Sequence, residues 1–574
     1  MRILTASDRA LLVEAADLDE AMRLNLAWAG VRGVEELIPG ARTVLVRFDP
    51  LRVSARELAA ELASTSTDAA HAPHTREVTI PVTYDGEDLA DVAALLGVSV
   101  DELIARHLAA QWRVAFAGFA PGFGYLVGDD PLFDVPRRPS PRTRVPAGAV
   151  ALAGHFTGVY PRESPGGWQL IGRTDARMWD IDRDPPALLA PGTAVRFESA
   201  RPTSRSLSEH AAPSRSLSEH AEGERDETRR PSGPRSTEHA PSRSLSEHAE
   251  GERDETRRPS EPRSTEHAST GSASEPSGEG SVEVVRSSLQ LLVQDLGRPG
   301  HAALGVSAAG AADRTALRDA NRAVGNRPDA AVLESVGGAL LRFHGEGVAA
   351  VTGALGDLTL TDRDGLARGI RQGEPFAVAD GDELLLGHPS RGLRYVIGVR
   401  GGIRAPAALG SVSADTLAGL GPAPLRAGDV VATGDPRTAP HAVDPLPLPR
   451  PLPASGDTVE LEITLGPRDG WFTEAALAAL TGQDWEVTPR SDRVGIRLHG
   501  ETPLERAITG ELPSEGAVTG AIQVPPDGQP VLFLPDHPLT GGYPIIGAVT
   551  DRCLDLAGQL PPGARIRFRI TGEA

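Results

Sequence analysis

Gly166-Gly167-Trp168-Gln169-Leu170-Ile171-Gly172 and Gly541-Gly542-Tyr543-Pro544-Ile545-Ile546-Gly547 read as one motif written twice. Two further patches repeat in the same order. Gly148-Ala149-Val150 corresponds to Gly520-Ala521-Ile522, and Pro191-Gly192-Thr193-Ala194-Val195-Arg196-Phe197 to Pro562-Gly563-Ala564-Arg565-Ile566-Arg567-Phe568. The offsets of 372, 375 and 371 positions keep all three in register. Around each copy, short apolar runs are punctuated by Gly and Pro, the pattern of many short strands. One β-barrel architecture used at least twice is therefore expected, once in each half of the chain. The stretch from 281 to about 435 is long enough for a third copy, although it lacks an equally clear signature.

Residues 201–280 separate the two copies. They contain no Phe, Trp or Tyr, and Leu207, Leu217 and Leu245 are their only large aliphatics. Such a segment cannot bury enough apolar surface to offset its ordering entropy. Pro213–Ala240 recurs as Pro241–Ala268 with one difference, Gly233 against Glu261. A solenoid repeat would show an apolar stripe, whereas this one is Ser, Glu, Arg and His. Five of the 15 histidines lie here, and a solvated, disordered tether is expected rather than a metal array.

Before the first copy, Arg2–Thr5, Ala10–Val13 and Thr43–Phe48 read as strands, with helical spacing at Leu18–Gly30 and Val53–Ala63. Glu77 opens a strand, and Leu89–Leu96 and Ser99–Ala110 read as helices. The division expected is 1–76, a small α+β domain of ferredoxin-like outline; 77–199, a barrel; 200–280, the linker; 281–440 and 441–574, two more barrels. The fold class is thus mainly β, with an α+β domain at the N-terminus.

Composition excludes several functions. All 58 basic residues are arginine. Without lysine there is no P-loop lysine, no Schiff base and no site for biotin attachment, so this chain carries no biotin. Anions would meet arginine forks or backbone N–H groups. The net charge of −20 argues against nucleic acid. Met1–Ala16 carries Arg2, Asp8, Arg9 and Glu14 rather than a signal-peptide core, and no apolar run is long enough to cross a membrane. The cytoplasm is the expected compartment. Cys553 stands alone and reads as a small hydrophobe.

The candidate site residues fall into patches. Phe116–Tyr125 contains Pro121 and Gly122, where glycines permit close backbone approach to a ligand; a tight turn with packed rings fits equally. Prolines around Arg142 and Arg144 preset where those guanidinium groups point, as carboxylate or phosphate capture requires. His155 follows a Gly154 turn and is a candidate acid–base group. Gly166 and Gly167 can present successive N–H groups to an anion, and Gln169 suits an amide. In the second half, Gln294, Asp295 and Arg298 lie within one seven-residue patch ending at Gly300. Asp313 stands at the start of an expected Ala312–Val324 helix, as an N-cap or beside an anion, with Gly325-Asn326 as its stop. Arg493, Gln523, Gly541, Gly542 and Tyr543 complete the set. These residues suit a small anionic ligand but do not identify a reaction.

Phe119-Ala120-Pro121-Gly122-Phe123-Gly124-Tyr125-Leu126, Pro141–Gly148 and Glu163–Thr174 closely resemble the B subunit of 5-oxoprolinase, the KipI and allophanate hydrolase subunit 1 family. Asp295–Gly300, Ala320–Asn326, Gln523–Gly528 and Thr540–Pro544 resemble the C subunit, the KipA and allophanate hydrolase subunit 2 family of carboxyltransferase-like proteins. The resemblance covers nearly all of 1–199 and 281–574. It implies cyclophilin-like barrels and ATP- and Mg²⁺-dependent opening of 5-oxo-L-proline to L-glutamate with a separate LamB/YcsF-type A subunit. Catalytic roles would fall to His155, Asp313 and Arg298, and ligand contacts to the other residues named. The same resemblance is compatible with a histidine-kinase regulator, with a biotin-dependent carboxyltransferase whose carrier is another chain, and with homo-oligomers. His537, Pro538 and Leu539 depart from the C-type pattern, where Gln and Thr are expected.

Overall fold

In the computed structural model, residues 1–66, 76–138, 140, 142–200, 280–446 and 450–571 are described. The expected tether at 201–280 lies outside the described residues except for Gly280. The described residues of both halves belong to one compact unit.

Strands Arg2–Ser7, Ala10–Glu14, Val34–Pro39 and Thr43–Phe48 form an antiparallel sheet in the order first, second, fourth, third. Helices Leu18–Ala27 and Ala55–Ser64 start where Asp17 accepts from Glu20 N–H and where Ser54 and Glu57 form a reciprocal capping box. The element order is ββαββα, not the βαββαβ of a ferredoxin-like domain, because the first two strands form a hairpin with no helix between them. Alternation along the strands serves two faces. Leu11, Val13, Val44 and Val46 pack on the helices with Trp28 and Leu58. Ala10, Leu12 and Leu45 point the other way, into a core shared with Ala302, Ala517, Phe533, Leu539 and Ile545 of the second half. Leu12 and Leu45 are at most 1% exposed, and each fully buried Leu is worth about 1.5–3 kcal/mol. The N-terminal sheet is therefore fixed to the second half of the chain.

The repeated motif does mark a repeated architecture. In the first half, seven strands run in the order Gln169–Arg173, Ala149–Ala153, Phe156–Val159, Gly124–Val127, Trp112–Ala117, Ala194–Ser199, Glu77–Val82. In the second half, Ile545–Val549, Ala521–Gln523, Val531–Phe533, Gly495–His499, Trp485–Val487, Arg565–Ile570 and Thr458–Leu465 repeat that order and close into a barrel. Each has one parallel pair, Glu77–Val82 with Ala194–Ser199 and Thr458–Leu465 with Arg565–Ile570. In each, a buried tryptophan donates from Nε1 to a carbonyl five residues earlier at 2.9 Å: Trp112 to His107 and Trp485 to Leu480. The first barrel is nearly closed, through a single bridge between Thr83 and Arg173.

The stretch from 281 to 433 is a third β module with a different order. A seven-stranded and a five-stranded sheet enclose one core that includes Val284, Leu333, Leu341, Val351 and Ile397. Helix Arg314–Val324 lies against Val332 and Val396 of the smaller sheet. Asp313 caps it, accepting from Ala316 N–H at 2.8 Å, and Gly325 ends it at φ 74°.

Candidate functional site

A cleft of about 570 Å³ opens where the N-terminal sheet meets the second half. One wall carries Asp8, Arg9, Glu35 and Arg47; the other carries Pro299, Gly300, Arg314, Arg318, His537 and Asp551. Arg314 and Arg318 are one turn apart, so both project from one face of their helix. Most cleft charges are paired. Arg9 meets Asp551 at 3.1 Å and Glu35 at 3.5 Å; Arg47 meets Glu36 at 2.8 Å. Glu36 Oε1 accepts from Gly300 N–H at 3.0 Å and Ala302 N–H at 3.1 Å, tying the first half to the Asp295–Gly300 patch. Arg318 is exposed and makes no ion pair or hydrogen bond among the described residues. Burial raises the Asp8 carboxyl above its usual range, and the nearby Asp551 charge adds to the effect.

The expected anion site at the N-terminus of helix Arg314–Val324 is already filled. Asp555 accepts from Arg314 N–H at 2.9 Å and Thr315 N–H at 3.1 Å, so those amides have no free donor. Asp313 itself is buried against Gln559 Nε2 at 2.9 Å and against Arg450. Burial raises its carboxyl despite the Arg450 charge.

Five residues singled out in the second half belong to one buried polar region behind this cleft. Arg493 is the hub. Its Nε and Nη2 reach Asp536 at 3.1 and 3.0 Å, Nη1 reaches Glu334, and Nη2 reaches the Gly310 carbonyl at 2.5 Å. Burial alone would lower this guanidinium; the Asp536 and Glu334 charges outweigh it and raise its pKa. Arg394 sits 3.6 Å from Glu334 and contacts Gln559 through its own N–H, and Gln559 leads to Asp313. On the other side, Asp536 accepts from Thr416 N–H at 2.8 Å. Asp295 accepts from Ser411 and Ser413 hydroxyls at 2.6 and 2.5 Å and from Gly297 N–H at 2.8 Å. Arg298 donates to the carbonyls of Ala408 and Ser413, and burial lowers its pKa. Gln294 donates to the Ala414 carbonyl at 2.9 Å. These groups brace loops of the second half; they do not reach the cleft.

In the first half, a second braced cluster takes the other arginine. Asp88 accepts from Arg138 and Arg142 at 2.7 Å each and from Leu170 N–H at 2.7 Å. Gly166 pairs with Arg142 in a two-stranded ribbon, Gly167 accepts from Arg138 N–H, and Gln169 donates to the Pro136 carbonyl. The ribbon of the second barrel pairs Gly541 with Glu515, and Glu515 is held by Arg468. Asp88 N–H donates to Leu170, and Arg468 N–H to Ile545, its counterpart in the repeat. The two barrels thus hold one ion pair at matching positions with the signs exchanged: Asp88–Arg142 and Arg468–Glu515. Arg468 also reaches Glu14 of the N-terminal sheet.

The remaining candidates stand apart. His155 lies on an exposed turn, its side chain 70% accessible, 3.8 Å from Asp134. Arg144 is 76% accessible and pairs with Glu163 at 2.7 Å. The aromatic patch is a packed turn: Phe116 stacks on Tyr125 at 4.3 Å, and Pro121 and Gly122 are buried with Gly122 N–H on the Leu304 carbonyl. Gly118 must lack a side chain because a Cβ there would collide with Thr540, whose Oγ1 accepts from Phe119 N–H at 3.0 Å. Gln523 donates to the Tyr543 carbonyl, Arg506 lies over the Tyr543 ring, and Gly542 lies against Arg137. Residues missed in the sequence are Arg9, Arg47 and Arg318 on the cleft, and Asp536 behind it; His537, noted only as a departure from the C-type pattern, also lines the cleft. The near-continuous apolar runs Ala10–Val13 and Val44–Val46 were the available signal, since a strand buried on both faces needs a partner beyond its helices.

The family model of the carboxyltransferase domain matches twice: subdomains C and D over residues 1–189, and subdomains A and B over residues 304–570. The chain belongs to the carboxyltransferase-domain family. Its first half is 48% identical over 128 residues to the 5-oxoprolinase B subunit of Escherichia coli O157:H7, 22% of this chain and 59% of that one, so the match spans less than two thirds of that relative. It is 41% identical over 182 residues to the B subunit of Bacillus subtilis (strain 168), 29% of this chain and 75% of that one. Half of the chain is 32% identical over 291 residues to the 5-oxoprolinase C subunit of Escherichia coli (strain K12), covering 90% of that relative. The family member thus joins a B type and a C type in one chain. The crystal structure of TTHA0988 has the same fold, with 32% identity and a TM-score of 0.74 over 98% of this chain and 100% of that one. No helix among the described residues is long and apolar enough to cross a membrane.

Proposed function

We propose that this chain is the B–C component of an ATP-dependent 5-oxoprolinase. It phosphorylates the amide oxygen of 5-oxo-L-proline, and a separate LamB/YcsF-type A subunit completes hydrolysis to L-glutamate. One observation carries the reading: the cleft has a wall from the B-type half and a wall from the C-type half, so neither half alone contains the site. A lactam resists water, and phosphorylation of its oxygen creates a leaving group. With no lysine in the chain, phosphate charge falls to arginines. Arg9, Arg47, Arg314 and Arg318 line the cleft and suit that role.

Among the described residues, no group of three or more His, Cys, Asp or Glu is arranged to chelate a metal. An all-protein Mg²⁺ cage does not fit. Mg²⁺ arriving on nucleotide phosphates needs only one or two carboxylates, and Asp8 and Asp551 fit that need. Bound there, Mg²⁺ would neutralise phosphate charge.

The test combines the purified chain, a LamB/YcsF-type partner, ATP, Mg²⁺ and 5-oxo-L-proline. Glutamate and ADP are expected together. Absence of glutamate with a competent partner overturns the proposal. Loss of histidine-kinase autophosphorylation on adding the chain, or avidin-sensitive turnover, would replace it with a regulatory or a carboxyltransferase function.

A further inference from the structure

Among the described residues, His537 is the one imidazole on the cleft wall. It is 5% exposed and stacks on Phe533, centroids 5.5 Å apart and planes 9° apart, so the ring is held in one orientation. Nδ1 lies 2.9 Å from the Pro538 carbonyl. A carbonyl only accepts, so Nδ1 carries the ring hydrogen and Nε2 is left with a lone pair. Nε2 makes no hydrogen bond among the described residues. Burial lowers the His537 pKa to about 4, and the Arg47 charge acts in the same direction. The ring is therefore neutral at neutral pH, beside an arginine suited to phosphate.

We propose that His537 is a catalytic residue of this cleft, whose Nε2 accepts the ring N–H of the lactam and takes its proton as the amide oxygen is phosphorylated. The proposal rests on the 5-oxoprolinase reading above. The step balances: the lactam oxygen forms a bond to the γ-phosphorus of a nucleoside triphosphate, and the bond from that phosphorus to the β–γ bridging oxygen breaks. The diphosphate leaves with that electron pair. The nitrogen lone pair moves into a C=N bond, and the N–H proton passes to Nε2. A weakly basic imidazole suffices, because the N–H becomes acidic once the oxygen carries a phosphoryl group. Arg9, Arg314 and Arg318 cannot serve, since guanidinium groups only donate.

The test uses the full chain with its A-type partner and compares wild type with His537→Gln. A positioned general base contributes about 10²–10⁴-fold, so kcat for glutamate formation is expected to fall by at least about 100-fold with KM within a few-fold. The lactone 5-oxotetrahydrofuran-2-carboxylate has a ring oxygen in place of N–H. It should compete equally well against both proteins. With ¹⁵N-histidine labelling, the Nε2 resonance missing from the variant should shift when 5-oxo-L-proline is added, and not when the lactone is added. An unchanged kcat, or weakening of lactone binding in parallel with the lost activity, overturns the catalytic role. A wild type that makes no glutamate but shows the Nε2 shift keeps the contact and discards the reaction. A wild type with neither discards both.

Discussion

The two barrels are built on one strand order but bury different polar groups, and the contrast separates what the architecture needs from what each copy adds. Both keep the tryptophan that donates to a carbonyl five residues back. Both hold their two-stranded ribbon by a carboxylate–guanidinium pair at matching positions. The sign of that pair is free: Asp88 holds Arg142 in one barrel, Arg468 holds Glu515 in the other. A geometric requirement for a charged clamp, met with either polarity, explains how a repeat survives while its residues diverge. The second clamp does more. Arg468 also engages Glu14, so the same guanidinium fixes the N-terminal sheet that walls the cleft.

That difference predicts unequal costs. Arg468→Met leaves Glu515 buried and uncompensated and releases Glu14. A loss of about 3–5 kcal/mol is expected in urea unfolding. Asp88→Ala removes the acceptor of two arginines that are 35% and 16% exposed and of the Leu170 N–H, so a loss of roughly 1–3 kcal/mol is expected. Equal losses would mean that the contact to Glu14 contributes nothing. Arg493→Met, which strands Asp536 and Glu334, provides a reference for a fully buried pair.

The barrel cores differ at the carbonyl that receives the tryptophan: His107 in the first, Leu480 in the second. His107 is fully buried between Tyr84 and Thr157, and burial lowers its pKa from 6.5 to about 3. Between these values the unfolded chain binds a proton that the folded barrel excludes. The His107 contribution to stability is therefore fully present above pH 6.5 and is lost as pH falls toward 3. At pH 5 the loss is about 2 kcal/mol, from about 1.36 kcal/mol per pH unit of the window. His107→Leu, which copies the second barrel, should reduce the slope of the thermal midpoint between about pH 5 and 7 and leave the part that His537 contributes through its own lowered pKa. An undiminished slope would place the titration elsewhere.

The tryptophan bond, common to both copies, should show the smaller and symmetric effect. Trp112→Phe and Trp485→Phe each leave a buried carbonyl unpaired, with an expected cost of roughly 1–3 kcal/mol in each barrel. A gap well beyond that spread would show that the single bridge closing the first barrel makes its core more tolerant.

The repeat was legible in sequence because its Gly turns and strands sit at nearly constant offsets. Helix Arg314–Val324 was legible because Asp313 and Gly325 are its local cap and stop. The sandwich at 281–433 gave no such signal, since its two sheets pair strands that are far apart in the chain. The cleft was hidden for the same reason. Arg47 and His537 lie far apart in sequence and meet only because Ala10, Leu12 and Leu45 dock the N-terminal sheet on the second half. Arg298, Asp313 and Arg493 were singled out as site candidates from their residue types and turn settings; the structure buries them as braces, an environment that bracing residues share with catalytic ones.

His155 and Arg144 are the sharpest case of that ambiguity, and they carry the smallest expected effect. Both sit in Gly- or Pro-bounded turns, the setting in which a functional side chain is often presented. In the folded chain each is more than two-thirds accessible and pairs with one exposed carboxylate, Asp134 or Glu163. Neither lines the cleft. Exposed pairs of this kind contribute about 0–1 kcal/mol, and removal of one is usually within about 0.5 kcal/mol. His155→Ala and Arg144→Ala should therefore leave the unfolding midpoint and glutamate formation unchanged. The counterpart on the cleft is Arg318, also exposed but without a partner among the described residues; Arg318→Ala should raise the KM for ATP while leaving stability intact. If Arg144→Ala raised that KM and Arg318→Ala did not, phosphate recognition would belong to the first barrel alone, and the cleft built from both halves would lose its role.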